Sequence, residues 1–308
     1  MNAPNNARLG TIVTAMITPF DKRGLLDIAE AQRLARWLVD RQTDALVLAG
    51  STGEGQALDK SERLALWAAV KAAVGDRAKI IANAGTSNTR ESAIAAQEAA
   101  SAGADAILAV VPYYNKPTQH GMLKHFGAIA DATPELPVIV YNIPGRTGVN
   151  MTAATLMELA ESHPNIAGVK ESSGDLKQIA TIVRERPKDF IVWAGDDHLF
   201  LPSLAVGVDG VVGVASHLCS REFRRMFDAY RSGKVGEAAE IHGSLLPLFD
   251  ALFATTNPIP IKWAMKQFGF RAGECRLPLD GMPHALANRL RPLLVPFTVT
   301  DAEELVAY

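Results

Sequence analysis

The sequence has few cysteines, almost no net charge and no long apolar run. Its 308 residues include only two cysteines, Cys219 and Cys275, which stand far apart rather than in a CxxC pair. Two lone cysteines cannot build a disulfide framework, so a reducing compartment fits the chain best. The 31 Lys and Arg residues nearly balance the 33 Asp and Glu residues, for a formal net charge of −2. A chain with this balance and no basic run lacks the electrostatic footprint of a nucleic-acid-binding protein.

Signals for a membrane or for secretion are missing as well. The apolar runs are much shorter than the roughly 20 residues that a membrane-spanning helix needs. The stretch Met1 to Gly10 is polar and rich in Asn, without the apolar core of a signal peptide. Hydrophobic residues make up 48% of the chain, which excludes a disordered protein. We therefore expect a globular, cytoplasmic protein with neither a membrane nor a nucleic-acid partner.

Short runs rich in Val and Ile recur along the chain. There are eight: Thr11–Phe20, Ala45–Gly50, Lys79–Gly85, Ala106–Tyr113, Pro137–Ile143, Ile166–Ser172, Phe190–Asp197 and Gly210–Ser216. Their length and near-continuous apolar character are typical of strands buried on both faces, as in parallel sheets. The sequence therefore predicts eight parallel strands.

Segments with helical periodicity lie between these strands. Asp27–Arg41 places Leu34 and Leu38 on one stripe, and Asp59–Val74 opens with Asp59 and Glu62 spaced as in a capping box. Further helices are expected over Thr89–Ala102 and Thr152–Ser162. Eight alternations of strand and helix predict a (β/α)8 TIM barrel with extra C-terminal helices.

The typical length of such a barrel also predicts where it ends. About 250 residues would place the end near Ser232, which gives a catalytic barrel over 1–232 and a C-terminal helical region over 233–308. The rival architecture is a doubly wound open sheet, which usually carries a Gly-rich phosphate turn after its first strand. The first strand here ends in Thr18, Pro19 and Phe20, with no such turn. The barrel is therefore the favoured interpretation.

Active sites of these barrels lie at the carboxyl ends of the strands. Lys170 ends the apolar strand Ile166 to Val169, where burial would favour the neutral amine that attacks a carbonyl carbon. We therefore interpret Lys170 as a candidate for Schiff-base chemistry, against the ordinary alternative of a solvated surface lysine. Lys116 and Lys262 are weaker candidates for the same role.

Other strand ends carry polar side chains. The phenols Tyr113, Tyr114 and Tyr141 follow the fourth and fifth strands, which indicates proton transfer rather than core packing alone. Ser51 and Thr52 lie in a Gly-rich turn that can bind an anion, although a plain strand-to-helix turn explains it too. Arg146 suits a carboxylate, unless it is simply solvated.

Metal chemistry has little support in the sequence. The seven histidines are scattered, and none forms an HxxxH or similar ligand spacing. Asp196, Asp197 and His198 offer three potential ligands after the seventh strand, but an acidic pair that fixes the loop is the better interpretation. We expect neither a metal nor an organic cofactor.

A set of motifs at these strand ends resembles a known family. They are Gly50–Glu54 (GSTGE), Pro112–Pro117 (PYYNKP), Tyr141–Gly148 (YNIPGRTG), Gly168–Asp175 (GVKESSGD), Gly195–Asp197 (GDD) and Thr256–Ala264 (TNPIPIKWA). In this order they resemble the dihydrodipicolinate synthase / N-acetylneuraminate lyase family over about Gly10 to Leu279. The family consists of pyruvate-dependent class I aldolases on (β/α)8 barrels with a helical C-terminal part. The resemblance therefore implies a lyase that forms a Schiff base with pyruvate.

The synthase branch is the more similar one, on the YYN of Tyr113 to Asn115, on Arg146 and on the NPIPIKWA stretch. This likeness implies that pyruvate condenses with L-aspartate 4-semialdehyde, in lysine and diaminopimelate biosynthesis. It implies that Lys170 carries the imine and Tyr141 shuttles protons. It also implies a cytoplasmic homotetramer, built as a dimer of dimers, with no cofactor.

The resemblance assigns further roles to the other matching positions. Ser51 would stand in the proton relay, together with Tyr114 contributed by a neighbouring subunit. Thr52 would hold the pyruvate carboxylate through its hydroxyl and backbone N–H. Arg146 would bind the carboxylate of the second substrate. Gly195 and Val212 would line the pyruvate pocket through their backbones.

Some positions depart from the synthase pattern. Ser51 stands where the synthases usually have Thr, and Gly213 replaces a common Ser. Both changes favour the alternative of a sister aldolase or dehydratase acting on a sugar-derived 2-oxo acid, whereas Arg146 and YYN oppose it. A non-catalytic pyruvate-binding barrel is a weaker alternative, because Lys170 and Tyr141 are both present. The lysine-feedback site maps to Gly55, Gln56, Lys60, Arg63, Ser87, Glu91 and Tyr113. Only Glu91 and Tyr113 match an inhibited enzyme, so we expect no strong lysine inhibition.

Overall fold

The computed structural model describes residues 9–297. Its eight strands are Ile12–Ala15 (β1), Ala45–Leu48 (β2), Lys79–Asn83 (β3), Ala106–Val110 (β4), Val138–Asn142 (β5), Ile166–Glu171 (β6), Ile191–Ala194 (β7) and Gly210–Gly213 (β8). They follow one another in chain order around a closed barrel, with parallel pairing. This confirms the predicted (β/α)8 fold. Much of Met1 to Gly10, where no signal peptide is predicted, lies outside the described residues.

The strands are apolar because both of their faces are buried. Every residue of β4, β5 and β6 is buried, including the polar ones near the carboxyl ends. A parallel strand covered on both faces selects a continuous apolar run rather than an alternating one. Polar residues inside these strands are therefore exceptions. Asn142, Lys170 and Glu171 lie at the carboxyl ends of β5 and β6, where a polar side chain can take part in a functional site.

Helices separate the strands, as the periodicity predicts. They are Ile28–Asp40 (α1), Lys60–Val74 (α2), Thr89–Ser101 (α3), Gln119–Ala132 (α4), Pro144–Thr147 (α5), Ala153–Ser162 (α6), Leu176–Glu185 (α7), Phe200–Ala205 (α8), Ser216–Arg231 (α9), Val235–Leu252 (α10), Ile259–Gln267 (α11) and His284–Leu294 (α12). The predicted capping box of α2 is present: Asp59 accepts from the Glu62 N–H, and Glu62 accepts from the Asp59 N–H. Within residues 9–297, no helix has the length and apolar character needed to cross a bilayer.

The chain groups into two compact units. Among the described residues, the first unit comprises 9–11 and Lys79–Val212, which carry β3 to β7, most of β8 and α3 to α8. The second unit comprises Ile12–Ala78 and 213–297, which carry β1, β2, α1, α2 and α9 to α12. The predicted boundary at residue 232 falls between α9 and α10, both in the second unit. The division into 1–232 and 233–308 stays a prediction from the sequence.

Candidate active site

Two side chains meet at the carboxyl ends of β5 and β6 in the first unit. Lys170 on β6 is only 5% exposed and pairs in register with Tyr141 on β5. The Lys170 Nζ lies 4.3 Å from the centroid of the Tyr141 ring. The end of the Lys170 side chain thus packs on the face of the Tyr141 ring. The alternative of a solvated surface lysine is therefore wrong, because this side chain is buried against a tyrosine.

Gly195 makes room for the lysine. A Cβ atom on Gly195 would lie 3.1 Å from both Cγ and Cε of Lys170 and would collide with the Ser172 Oγ. Only glycine fits beside this side chain, so Gly195 shapes the space around the candidate nucleophile. The Ser172 Oγ is buried and has no hydrogen-bond partner within the described part of the chain. No pattern in the sequence singles out Ser172 as a site residue, although it stands two residues after Lys170.

Asn142 and Glu171 form a second pair, next to Tyr141 and Lys170 on the same two strands. The Glu171 carboxylate is buried, and the Asn142 Nδ2 donates to its Oε1 and Oε2 at 3.2 and 3.0 Å. The Ser173 backbone N–H donates to Oε1 at 2.7 Å, and the Gln178 Nε2 donates to Oε2 at 3.1 Å. Burial raises the pKa of the Glu171 carboxyl, although these hydrogen bonds favour its charged form. Local sequence patterns do not reveal this pair, whose only signal is a charged residue inside a buried strand.

The Gly-rich turn after β2 belongs to the second unit. Thr52 is buried there, and its Oγ1 accepts a hydrogen bond from the Asn257 Nδ2 at 2.9 Å. Ser51 is half-buried. The turn needs its glycine at position 55, because a Cβ there would collide with the Ala49 carbonyl oxygen. The turn is thus a packed element with a fixed hydroxyl rather than a loose loop.

A buried ion pair lies at the end of this turn. Lys262, on α11 and 1% exposed, donates to the Glu54 Oε1 at 2.6 Å and to the Glu274 carbonyl oxygen at 3.0 Å. The Lys262 Nζ also lies 4.0 Å from the centroid of the Phe20 ring. Burial lowers the pKa of the Lys262 amine, and the Glu54 carboxylate opposes that shift. Lys262, a weaker candidate nucleophile in the sequence, is thus held by an ion pair.

The remaining predicted site residues occupy different settings. Tyr114 is 93% exposed and has a φ of +74°, a left-handed conformation that is uncommon for tyrosine. Arg146 is exposed on the short helix α5, and Val212 is buried in β8. Lys116 is exposed and packs against Gly148, where a Cβ would lie 2.9 Å from the Lys116 Cε. Between residues 9 and 297 no group of three or more His, Cys, Asp or Glu side chains could hold a metal ion.

A closed parallel barrel with a buried lysine beside a tyrosine at its strand ends is typical of class I aldolases, and the chain is a lyase of this Schiff-base-forming type. The model of the Dihydrodipicolinate synthetase family matches residues 8–294, and the chain belongs to this family.

Named relatives agree with this assignment. The chain is 51% identical over 272 residues to the 4-hydroxy-tetrahydrodipicolinate synthase of Moorella thermoacetica, covering 88% of this chain and 92% of the relative. It is 49% identical over 285 residues to the enzyme of the same name from Nostoc sp., covering 92% and 97%. Among solved structures it is similar to the Cyanidioschyzon merolae enzyme of this family with lysine bound, at a TM-score of 0.92 and 44% identity, covering 93% and 97%.

Proposed function

We propose that the chain is a 4-hydroxy-tetrahydrodipicolinate synthase, which condenses pyruvate with L-aspartate 4-semialdehyde through an imine on Lys170. The observation that carries this proposal is the buried Lys170 amine over the Tyr141 ring, 4.3 Å from its centroid. In the described chain, no carboxylate lies within ion-pair distance of this amine. Relatives of about half identity with the same activity in their names support the choice of substrates.

The chemistry follows from an amine held beside a phenol. The Lys170 amine adds to the ketone carbon of pyruvate, and loss of water gives an imine. The cationic imine acidifies the methyl group, whose deprotonation gives an enamine. The enamine carbon attacks the aldehyde carbon of the second substrate, and the amino group of that substrate then attacks the imine carbon and releases Lys170. The covalent intermediate divides one difficult condensation into easier steps.

Proton transfers are assigned to three hydroxyl groups. Tyr141 is the nearest candidate, because its ring already contacts the Lys170 amine. We propose that Ser51 and Tyr114 complete the relay, as the resemblance implies. The 93% exposure of Tyr114 supports a role outside its own chain's core. We therefore propose a homotetramer built as a dimer of dimers, in which this phenol serves a neighbouring copy.

Carboxylate binding is assigned to the remaining residues. Thr52 would hold the pyruvate carboxylate, and its support is a hydroxyl fixed at 2.9 Å from the Asn257 amide. Arg146 would bind the second carboxylate, since a guanidinium suits bidentate contact. Gly195 and Val212 would line the pyruvate pocket, and the fit of Gly195 against the Lys170 side chain supports its part.

The setting of the enzyme is part of the proposal. No step above requires a metal or an organic cofactor. A cytoplasmic location in lysine and diaminopimelate biosynthesis is supported by the relatives and by Cys219 and Cys275, which form no disulfide. Insensitivity to lysine stays a prediction of the sequence, as does the separate helical region over 233–308.

The test is a coupled assay with a downstream nicotinamide-dependent reductase, followed by trapping with borohydride. Signal that needs both substrates, with a reduced pyruvate adduct on Lys170 identified by mass spectrometry, would support the proposal. Lys170→Arg serves as the matched control, because it keeps the positive charge and lacks the nucleophilic amine. An active Lys170→Arg enzyme would overturn the imine mechanism.

A sister aldolase or dehydratase acting on a sugar-derived 2-oxo acid is the second candidate. The buried Ser172 Oγ, with no protein partner in residues 9–297, favours it, because it is free to bind a substrate hydroxyl beside Lys170. A panel of aldehyde acceptors separates the two candidates. Pyruvate trapped on Lys170 without turnover of L-aspartate 4-semialdehyde would select the sister enzyme.

A further inference from the structure

We propose that Asn142, Glu171 and Gln178 form a strand clamp that sets the register of β5 against β6 and so holds Lys170 beside Tyr141. The inference rests on the proposed function in one respect, since it takes Lys170 as the amine that reacts. The clamp residues touch neither the lysine amine nor the tyrosine ring in the contacts above. They are therefore positioning residues rather than catalytic ones.

The register between β5 and β6 is irregular, which is why it needs to be held. Val138 pairs with Ile166, but the next residue, Ile139, pairs with Gly168, so that one residue of β6 is extra. Bulges of this kind occur next to active sites, where they re-aim a side chain. Continuing the first register without the bulge would place Tyr141 opposite Val169 rather than Lys170. The candidate pair thus depends on a shift that strand pairing alone does not favour.

The clamp lies where this shifted register can be held. In the observed register Tyr141 pairs with Lys170, and Asn142 pairs with Glu171. Successive residues of a strand point to opposite faces. The reacting pair and the Asn142–Glu171 pair therefore occupy opposite faces of the same two strands, one residue apart. A slip of one residue would break the amide-to-carboxylate bonds and separate the reacting pair together.

The Glu171 carboxylate is suited to this role because it only accepts hydrogen bonds. The Asn142 amide, the Ser173 N–H and the Gln178 amide all donate to it, at 2.7–3.2 Å. Asn150 closes the network: its Oδ1 accepts from the Asn142 Nδ2 at 2.7 Å, and its Nδ2 donates to the Gln178 Oε1 at 2.8 Å. A buried network of this kind specifies one geometry when it is fully satisfied.

The decisive variant is Glu171→Gln, which keeps the shape and replaces one acceptor oxygen by a donor. Its new amide N–H groups would face the Asn142 and Gln178 donors, so the clamp would open. A misplacement of about 1 Å in a reacting group costs roughly 100-fold in rate. We expect kcat to fall about 10- to 100-fold, with the KM for L-aspartate 4-semialdehyde little changed. The rate of borohydride trapping of pyruvate on Lys170 should fall in parallel.

The exchange Asn142→Asp with Glu171→Gln provides the rescue. It restores one carboxylate and one amide across the same strand pair, with the donor now on β6. The Asn150 and Gln178 side-chain amides turn over, so that each again faces a complementary group. We expect this double variant to regain at least about 5-fold of the kcat lost in Glu171→Gln, a size typical of coupling between contacting residues. A double variant no better than Glu171→Gln would contradict the clamp.

The matched control is Asn165→Asp, an exchange of amide and carboxyl at the opposite end of β6. The buried Asn165 Nδ2 donates to the Ala130 and Thr133 carbonyl oxygens at 2.9 and 3.0 Å, away from the candidate site. We expect this variant to lose thermal stability while keeping kcat within about 2-fold. If Glu171→Gln also lost only stability and kept kcat, the inference would be overturned.

Two further outcomes keep the test decisive. If Glu171→Gln does not fold, Gln178→Met removes a single donor from the clamp, and a kcat within 2-fold of the parent would then contradict the inference. The parent enzyme is trapped first: if pyruvate is not trapped on its Lys170, the proposed function fails, whatever the clamp does. Normal trapping in the parent and equally fast trapping in Glu171→Gln would overturn the clamp alone.

Discussion

Two buried lysines, one in each unit, share much of their environment and differ in one respect. Lys170 lies 4.3 Å from the centroid of the Tyr141 ring, and Lys262 lies 4.0 Å from that of Phe20. Lys262 also binds the Glu54 carboxylate at 2.6 Å, whereas Lys170 has no carboxylate within ion-pair distance in the described chain. The ion-pair partner, rather than burial or an aromatic ring, is therefore what distinguishes Lys262 from Lys170, the proposed nucleophile.

The physical reason is the cost of a buried charge. An ammonium that leaves water needs a counter-charge and hydrogen bonds, and Lys262 has both. The Lys262 Nζ is held by the Glu54 carboxylate and the Glu274 carbonyl oxygen, so it is engaged in a structural contact. No carboxylate holds the Lys170 Nζ within the described residues, so this amine can reach a carbonyl carbon without first breaking an ion pair. The first unit thus leaves its lysine available, and the second unit uses its lysine to hold the turn that carries Ser51 and Thr52.

Two of the buried glutamates, Glu54 and Glu171, differ in the same way. Glu54 accepts from the Lys262 ammonium and from the Arg276 backbone N–H at 2.7 Å. Glu171 is held by neutral amides and a backbone N–H, and burial raises its pKa. In the second unit the amine and the carboxylate neutralise each other, whereas in the first they stand on adjacent residues of one strand.

The largest effect is expected for Lys170→Ala. The variant removes the proposed nucleophile, and we expect kcat to fall on the order of 10³-fold or more. The same change removes a buried amine without a counter-charge, so the free energy of unfolding should stay equal or rise. Steady-state kinetics and denaturant unfolding of the same preparation measure both quantities. A clear loss of stability would show that Lys170 is a structural residue, like Lys262.

Lys262→Met should show the opposite profile. Removing one partner of a buried ion pair leaves an uncompensated charge on Glu54 and costs about 3–5 kcal/mol of unfolding free energy. The double variant Glu54→Leu with Lys262→Met removes both charges and should recover most of that loss. Thermal and denaturant unfolding measure these changes. A loss of activity in Lys262→Met without a loss of stability would show that this lysine has a chemical role as well.

The strands, the position of Lys170 and the helix cap could be predicted from the sequence, because each depends on a local pattern. The apolar runs predict the strands, and the position of Lys170 at the end of β6 predicts a buried amine at a strand end. The capping box of α2 follows from Asp59 and Glu62 alone. Each of these features is decided by residues within one turn or one strand of each other.

The remaining features depend on contacts between distant parts of the chain, which no local pattern contains. Lys262 and Glu54 are 208 residues apart in the chain, so the sequence could not show that this lysine is paired. The bulge in β6 and the clamp around Glu171 depend on the register between two strands. A run that is apolar on both faces still buries apolar side chains after a slip of one residue, so the run alone does not specify the register. The unpartnered hydroxyl of Ser172 depends on where Gly195, directly after the next strand, lies.

Each unit also buries one histidine, and the dependence of the unfolding free energy on pH should test both. In the second unit the His217 Nε2 accepts from the Ile17 N–H at 3.1 Å, and its Nδ1 contacts the Val214 carbonyl oxygen at 2.8 Å. In the first unit the His125 Nδ1 contacts the Thr89 hydroxyl at 2.9 Å, and its Nε2 is buried without a partner in residues 9–297. Burial lowers the pKa of each imidazole to about 4.

Because the pKa of each buried histidine is lower in the folded state than in the unfolded state, the free energy of unfolding depends on pH. The unfolded histidines bind protons below about pH 6.5, whereas the folded ones stay neutral until about pH 4. The unfolded state therefore binds more protons in this window, and the unfolding free energy should fall as the pH falls, by up to about 1.4 kcal/mol per pH unit for each histidine. Denaturant unfolding at pH 7 and pH 5 measures the loss. His217→Gln should reduce it by about half, and an unchanged pH dependence would show that this ring is not buried as a neutral group.

The smallest effect is expected for Ser172→Ala, which tests whether the Ser172 hydroxyl lacks a hydrogen-bond partner in the folded chain. Its hydroxyl is buried beside Gly195 with no partner in the described residues, so its removal abolishes a desolvation cost and should raise the unfolding free energy by up to about 1 kcal/mol. The matched change in the second unit is Thr52→Val, where the hydroxyl accepts from the Asn257 amide at 2.9 Å and its loss should destabilise by about 1 kcal/mol. If the two variants change the unfolding free energy in opposite directions, the Thr52 hydroxyl stabilises the fold of the second unit. The Ser172 hydroxyl of the first unit then does not stabilise its fold and is available to a ligand. A destabilised Ser172→Ala protein would mean that the hydroxyl has a partner in the folded chain, and the contrast between the two units would then rest on their lysines alone.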